Sequence, residues 1–415
     1  MTVSTSRIAE CVSAYAARLH AVIGTKHHVA SPLGAWLVLA LAGPASDGAD
    51  RAVLSDVLGC DVADAARAAG DLLTQPHPVV ASAAAVWTSP VWQFPDAFYR
   101  WRDTLPATVE TGAVPGRAGL DAWAREHTFG LIDRFPVTSD DLCLLLASAL
   151  ATKVSWEVPF DLSPATSLGA ASSWAAKLDR VLRTPARPRG HIQFVTATPQ
   201  AGDVVVHIAA GVGGLDVMSV AAMPDVASGR VLGAAYDLGG KHVTGARIDA
   251  RELASLPLGE HPLWSVREVM AAADSCAAVL PAWSATSEHD LSAPGLGFDA
   301  AKDALVPDDT PWEAQQAAMA RYSRTGFEAA AISALAVPSA ARLPAVHREV
   351  VLRFGHPYAV VAVATANTEA TASTEATADT GATAHSGGGP WHGLPVFSAW
   401  VSEPENATGS AGSGR

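Results

Sequence analysis

The chain has 415 residues, with 28 Lys plus Arg against 41 Asp plus Glu, a formal net charge of −13 at neutral pH, and 49% hydrophobic against 17% charged residues. A chain this acidic, with no concentrated basic patch, is unsuited to binding nucleic acid, and an anionic membrane surface is disfavoured on the same ground. The hydrophobic share excludes disorder of the whole chain, and no run reaches the roughly 18 uninterrupted apolar residues of a spanning helix, so the surplus is expected in a core.

The N-terminus, MTVSTSRIAECVSAYAARLH, lacks a basic region followed by an apolar run and a small-residue cleavage site, which makes a cytoplasmic location the expectation. Ile8, Val12, Tyr15, Leu19 and Val22 recur at helical spacing and predict an amphipathic helix. Ser31-Pro32 then opens LGAWLVLALAG, an N-cap and first-turn proline ahead of a helix apolar all round and therefore buried. ADRAVLSDVLG predicts a third helix stopped by Gly59. Strand signals dominate the rest: VVASAAAVWTS, DLCLLLASALATKVSW, HIQFVTAT, DVVVHIAAG, LDVMSVAAM, CAAVLPAWSAT, HPYAVVAVAT and LPVFSAWVS. The long apolar run from Leu142 to Leu150 fits a strand covered on both faces. Helices first and antiparallel strands afterwards predict an α+β fold.

Between the last two strands lies a low-complexity stretch, 364–390, with near-repeats TEATAS, TEATAD and TGATAH beginning at Thr368, Thr374 and Thr380. It has no large apolar residue to bury, so a loop insertion is expected; the Gly/Ser-rich residues 406–415 read as a frayed tail.

The search for chemistry returns little. There is no G-x-S-x-G and no H-E-x-x-H, and in GVGGLD Asp216 takes the place of the third glycine of a dinucleotide fingerprint, so a hairpin turn is the reading. Adjacent His27 and His28 point in different directions on any regular element and read as surface or capping histidines. Cys11, Cys60, Cys143 and Cys276 are far apart and form no C-x-x-C pair; neither a zinc site nor a disulfide framework is indicated, and buried free thiols are expected. No catalytic residue, metal site or cofactor is expected, and the chain does not read as an enzyme.

Ordered segments instead resemble the serpin family. Ser31-Pro32-Leu33 through VLSDVLG is similar to its second and third helices. LDAWAREHTFGLI matches I-N-x-W-V-x-x-x-T-x-G-K-I through Trp123, Thr128, Gly130 and Ile132. ASALATKVSWEVPFD resembles N-A-x-Y-F-K-G-x-W-x-x-P-F through Ala149, Lys153, Trp156, Pro159 and Phe160. VLPAWSATSEHDLSAPGLG resembles the family's L-P-x-F segment and the D-L and L-G pairs after it, through Pro281, Trp283, Asp290, Leu291, Leu296 and Gly297. TGFEAAAISA is similar to the hinge G-T-E-A-A-A-A-T, and LRFGHPY and LPVFSAWVSEP to the C-terminal strands.

The resemblance implies a single serpin-like domain over 1–405, with N-terminal helices, three mainly antiparallel sheets and an exposed reactive loop. It implies a monomer that inhibits serine proteases: the target cleaves the loop, and the loop inserts into the central sheet before the acyl-enzyme is hydrolysed. An extracellular location stays open on the same ground. The hinge would comprise Gly326, Phe327, Glu328, Ala329, Ala330 and Ala331, with Gly326 supplying a permissive backbone at the bend and Phe327, Ala329 and Ala331 on the inserting face. The sheet-opening region would contain Ser148, where the family has asparagine, with Lys153 and Trp156. Counting from Gly326 puts the reactive bond between Ala340 and Ala341, which suits an elastase- or subtilisin-like target; a shifted register would put Arg342 at the specificity position of a trypsin-like one. Phe327 replaces a small residue, and its bulk is expected to slow insertion. That departure keeps an alternative open, a non-inhibitory serpin-like protein that binds a ligand or partner.

Overall fold

A computed structural model describes residues 4–136, 142–186, 189–306, 311–327, 345–365 and 389–408. Glu328 to Ala331, Ala340, Ala341 and Arg342, and the three near-repeats, lie outside them. The helices among the described residues are α1 (Thr5–Ile23), α2 (Pro32–Ala42), α3 (Gly48–Leu58), α4 (Val62–Thr74), α5 (Asp96–Arg102), α6 (Arg117–His127), α7 (Ser228–Thr244) and α8 (Phe298–Leu305). Ser4 caps α1 by accepting from the Arg7 N–H, and the helix buries Ile8, Cys11, Val12, Tyr15, Ala16, Leu19 and His20. Val22, expected on that face, is 44% exposed, and Ile23 packs against the core in its place. Ser31 Oγ accepts from Gly34 N at 3.1 Å, and every residue of α2 is buried, as its sequence predicts. Gly59 ends α3 at φ 75°, a left-handed conformation that favours glycine.

The first sheet runs β1 (His28–Ala30), β19 (Pro395–Val401), β18 (Tyr358–Ala364), β10 (Leu215–Ala221), β9 (Gly202–Gly211), β8 (His191–Thr198). All its pairings are antiparallel. GVGGLD is the turn between β9 and β10, with Gly211 opposite Leu215. The second sheet runs β11 (Gly259–Glu260), β12 (Trp264–Ala271), β17 (Ala345–Arg353), β13 (Ser275–Leu280), β7 (Arg180–Arg183), β6 (Asp161–Pro164). The third runs β3 (Val109–Ala113), β2 (Val80–Thr88), β4 (Leu144–Thr152), β15 (Trp312–Tyr322), β16 (Gly326–Phe327), β5 (Val154–Ser155), and β14 (Trp283–Asp290) also pairs with β15. Pairings are antiparallel except β2·β3, β4·β15 and β13·β17. The α+β class and the three sheets match the expectation.

Several boundaries differ. CAAVLPAWSAT is two strands in two sheets, β13 and β14, because Pro281 cannot continue a ladder. Strand β18 continues through Ala364, whose N–H donates to Leu394 O at 3.0 Å, so the low-complexity stretch starts later than expected. Residues 406 and 407 are docked: Asn406 Oδ1 accepts from Asp179 N at 2.7 Å and Arg180 N at 3.2 Å, and Ala407 is buried. His28 is buried, contrary to the surface or capping reading, because β1 carries it inward against α1. His28 Nδ1–H donates to Lys26 O (2.8 Å), so its Nε2 accepts from His20 Nδ1–H (2.9 Å) and His20 Nε2 accepts from Ser398 Oγ–H (2.7 Å).

Candidate hinge and sheet-opening site

In the third sheet β4 and β15 pair in parallel only from Leu144 opposite Trp312 to Ala147 opposite Gln315. Continuing that register would pair Ser148 with Gln316, and there the ladder stops. Among the described residues, 148–152 of β4 and 316–321 of β15 face a slot without pairing across it. The fork sits over the N-terminus of α2, where a Cβ built on Gly34 would lie 3.2 Å from Ser31 Oγ, 3.3 Å from Ser148 Oγ and 3.5 Å from Gln316 Nε2. Gln316 fixes this corner: its Oε1 accepts from Ser31 N (2.9 Å) and its Nε2 donates to Ser31 O (2.8 Å), while Ser31 Oγ donates to Val396 O (2.9 Å). A buried amide satisfied on both ends ties the helix layer to β15.

At the opposite end the slot is filled. The chain leaves β15 at Tyr322, turns through Ser323, Arg324 and Thr325, and returns as β16 between β15 and β5. Tyr322 faces Phe327, Phe327 faces Val154, and Gly326 faces Ser155. The turn is closed by the Ser323 N–H and Oγ, which donate to Gly326 O at 3.0 and 2.9 Å. The bend is therefore made before Gly326, which is itself a strand residue. Trp156 N donates to Thr325 O (3.1 Å) and its indole Nε1 to Ser323 O (3.0 Å). Arg324 and Phe160 are tied by Phe160 N to Arg324 O (3.0 Å) and Arg324 Nε to Phe160 O (2.9 Å).

Phe327 is 3% exposed, so its ring is housed rather than excluded. The ring centroids of Trp156, Trp283 and Tyr322 lie 6.5, 6.0 and 6.4 Å from it, the last two edge-on, a geometry that favours aromatic contacts. Tyr322 contacts Phe160 at 5.8 Å, and Phe160 rests on His191 at 4.6 Å. His191 Nε2–H donates to Val158 O (2.8 Å), which leaves its Nδ1 to accept from His207 Nε2–H (3.0 Å). Burial lowers the pKa of both imidazoles; for His207, fully enclosed and beside His191, it lies well below the ordinary value.

The expected site residues divide accordingly. Ser148 stands at the fork and Trp156 beneath the turn into Gly326 and Phe327; Lys153 is exposed at the break between β4 and β5. Gln316, Tyr322 and the His191–His207 pair escape a reading of the sequence alone. A glutamine inside the alternating stretch WEAQQAAMARY is the one signal in the sequence that points to the clamp. Apart from this site, a cavity of about 920 Å³ opens between α1 and α7 over β18, lined in part by Ala17, His20, Leu232, Gly233, Val361 and Val363.

No protein-family model matches the sequence, and no curated protein resembles it in sequence. Solved structures do resemble it in three dimensions. Serpin48 of the insect Tenebrio molitor has 14% identity and a TM-score of 0.60, over 96% of this chain and 98% of that one. Human thyroxine-binding globulin in complex with thyroxine has 11% identity and a TM-score of 0.64, over 97% of this chain and 100% of that one. The thermophilic serpin tengpin has 12% identity and a TM-score of 0.62, over 96% and 94%. The chain has the serpin fold.

Proposed function

We propose that this serpin-fold chain inhibits a serine protease by offering residues 328–344 as a cleavable loop that then enters the slot between β4 and β15. The observation that carries the reading is the slot itself, unpaired below and already holding the hinge residues Gly326 and Phe327 at its upper end. Cleavage would free the downstream chain to lengthen β16 as a strand between β15 and β4, with the gain in pairing held back kinetically until the cut. The inhibitor needs only a susceptible bond and a sheet that can take one more strand. The bond between Ala340 and Ala341 suits a small-pocket protease of the elastase or subtilisin kind, with cleavage after Arg342 as the trypsin-like alternative.

The test is incubation with elastase, subtilisin and trypsin, read on a denaturing gel. An inhibitor leaves a covalent complex that survives denaturation; fragments alone count against the reading. Ala331→Glu places a carboxylate on the face expected to insert, and burying an unpaired charge is costly. It should abolish the complex while leaving cleavage intact.

The cavity between α1 and α7 supports a second reading, a ligand carrier, since one protein with this fold, thyroxine-binding globulin, is solved in complex with thyroxine. Calorimetric titration with thyroxine separates the two. A Cβ at Gly233 meets nothing within 4 Å, so Gly233→Leu projects into open space and should block a ligand seated there without disturbing the hinge.

A further inference from the structure

Cysteines that the sequence separates are brought together on the helical layer. Cys11 sits on the buried face of α1, and its Sγ–H donates to Gly59 O at 3.3 Å. A Cβ built on Gly59 would lie 3.5 Å from Cys11 Cα and 3.3 Å from Cys11 Sγ, so α1 runs directly against the backbone that joins α3 to α4. Cys60 follows directly on this contact and packs against the core cluster to which Cys11 belongs, so the two cysteines flank the Gly59 peptide. Cys11 is 2% exposed, whereas Cys60 is half-buried, so one sulfur of the pair is reachable from solvent. Arg7 stands beside them with Nη2 on Gly59 O at 3.1 Å. The neighbouring Cys60 thiol and the Arg7 charge bring the Cys11 thiol down to about 7, against the opposing effect of burial; the Cys60 thiol moves up. Cys143 lies just before β4 and Cys276 in β13, and neither shows such a pairing among the described residues.

We propose that Cys11 and Cys60 are a disulfide-forming pair that ties α1 to the α3–α4 corner when the protein meets a low-molecular-weight disulfide such as oxidised glutathione. Cys60, the reachable sulfur, loses its proton and attacks the small disulfide, breaking its S–S bond; a mixed disulfide forms and one small thiolate leaves. Cys11 then loses its proton and attacks the Cys60 sulfur, forming the Cys11–Cys60 bond and expelling the second small thiolate. The two protons from the protein thiols convert both leaving groups to thiols. Two electrons pass from the cysteine pair to the small disulfide, which is reduced as the pair is oxidised. Arg7, which stays beside Cys11 once Cys60 is in the mixed disulfide, favours the Cys11 thiolate that the second step needs. The bond would close a long loop, the case in which a cross-link most restricts the unfolded chain.

The experiment uses the full chain, reduced and then equilibrated with oxidised glutathione. Intact mass should fall by about 2 Da, two of the four thiols should become unreactive to a thiol reagent after denaturation, and a tryptic digest should join the Cys11 and Cys60 peptides. Melting temperature should rise by several degrees and return on reduction. Cys11→Ser should stop at the mixed disulfide on Cys60, and Cys60→Ser should leave Cys11 reduced. Persistence of the mixed disulfide in the unmodified chain, a bond that involves Cys143 or Cys276, or four unreacted thiols would each overturn the proposal.

Discussion

Phe327 is the residue whose setting changes most between sequence and structure. As an oversized replacement for a small residue it would be expected to obstruct the first step of insertion. The structure instead gives it a prepared site among Trp156, Trp283 and Tyr322, in which the ring is part of the sheet before any cleavage. Removing a buried phenyl group costs about 3–5 kcal/mol when its cavity stays open. Under the proposed function, Phe327→Thr should therefore loosen β16 and raise the number of inhibitor molecules consumed for each protease trapped, because an undocked strand enters the slot later. A fall in that number would restore the obstruction account. Gln316 offers a second test at the other end of the slot. Ser31 O keeps a partner without it, since Ala35 N also donates there at 3.2 Å, but Ser31 N does not. Gln316→Leu should thus cost about 1–3 kcal/mol, the penalty of one buried unsatisfied donor, read from chemical denaturation.

The hairpin of β18 and β19 carries a sharper test of which elements matter. Its base is closed by described residues alone: Ala364 N to Leu394 O at 3.0 Å, Gly393 N to Ala364 O at 2.8 Å, and the Trp391 indole to Gln75 O at 2.7 Å. Loop-closure entropy changes slowly with length, so deletion of 368–385 should shift stability by less than about 1 kcal/mol and leave trapping intact. A large drop in melting temperature would show that the segment packs on the core. The same pair shows why parts of the fold are legible. Strands β4, β18 and β19 are buried on both faces and appear as nearly continuous apolar runs, and Ser31, Pro32 and Gly59 mark helix ends by their local chemistry. Strands β12, β15 and β17 escape a sequence reading because each is only partly buried and carries charged residues such as Arg267, Glu268, Arg321 and Arg348. Helix α7 escapes it because Gly229, Gly233, Gly239 and Gly240 depress its intrinsic propensity. It is helical through tertiary packing of Val231, Leu232, Ala235 and Leu238, with Gly239 allowing close approach to Val363, 3.2 Å from where a Cβ would sit. At the site, Trp156 and Gly326 are legible as motif residues, whereas the Gln316 clamp depends on a register between distant segments that no local pattern encodes.

The molecule as a whole is built on neutral buried histidines, and this sets its response to acid. His20, His28 and His289 cluster where α1, β1 and β14 meet, and His191 and His207 lie beneath the aromatic hinge site. The tautomers in the His20–His28–Ser398 chain leave no room for an extra proton: a charged His28 would turn its Nε2 from acceptor to donor against His20 Nδ1–H. Burial first, then the neighbouring imidazoles, lower His20 to about 3; burial chiefly lowers His28 to about 4. Their unfolded counterparts titrate near pH ~6.5. Because the folded values lie below the unfolded ones, the unfolded chain binds protons first as pH falls. The contribution to stability is whole above about pH 6.5 and is lost progressively as the pH falls from there toward the folded values. At pH 5 the loss is about 2 kcal/mol for each of His20 and His28, with His191, His207 and His289 acting in the same direction. Urea unfolding at pH 7.5 and pH 5 should therefore show a fall of about 4 kcal/mol in unfolding free energy from these two alone, and the carboxyls of Asp61, Glu260 and Asp274, held below their ordinary values in the folded chain, do not oppose it. His28→Gln retains a side chain that can hydrogen-bond but cannot titrate, so it should flatten the acid limb between about pH 6.5 and 4.5 relative to the unmodified chain. An unchanged slope in that variant would place the acid sensitivity elsewhere.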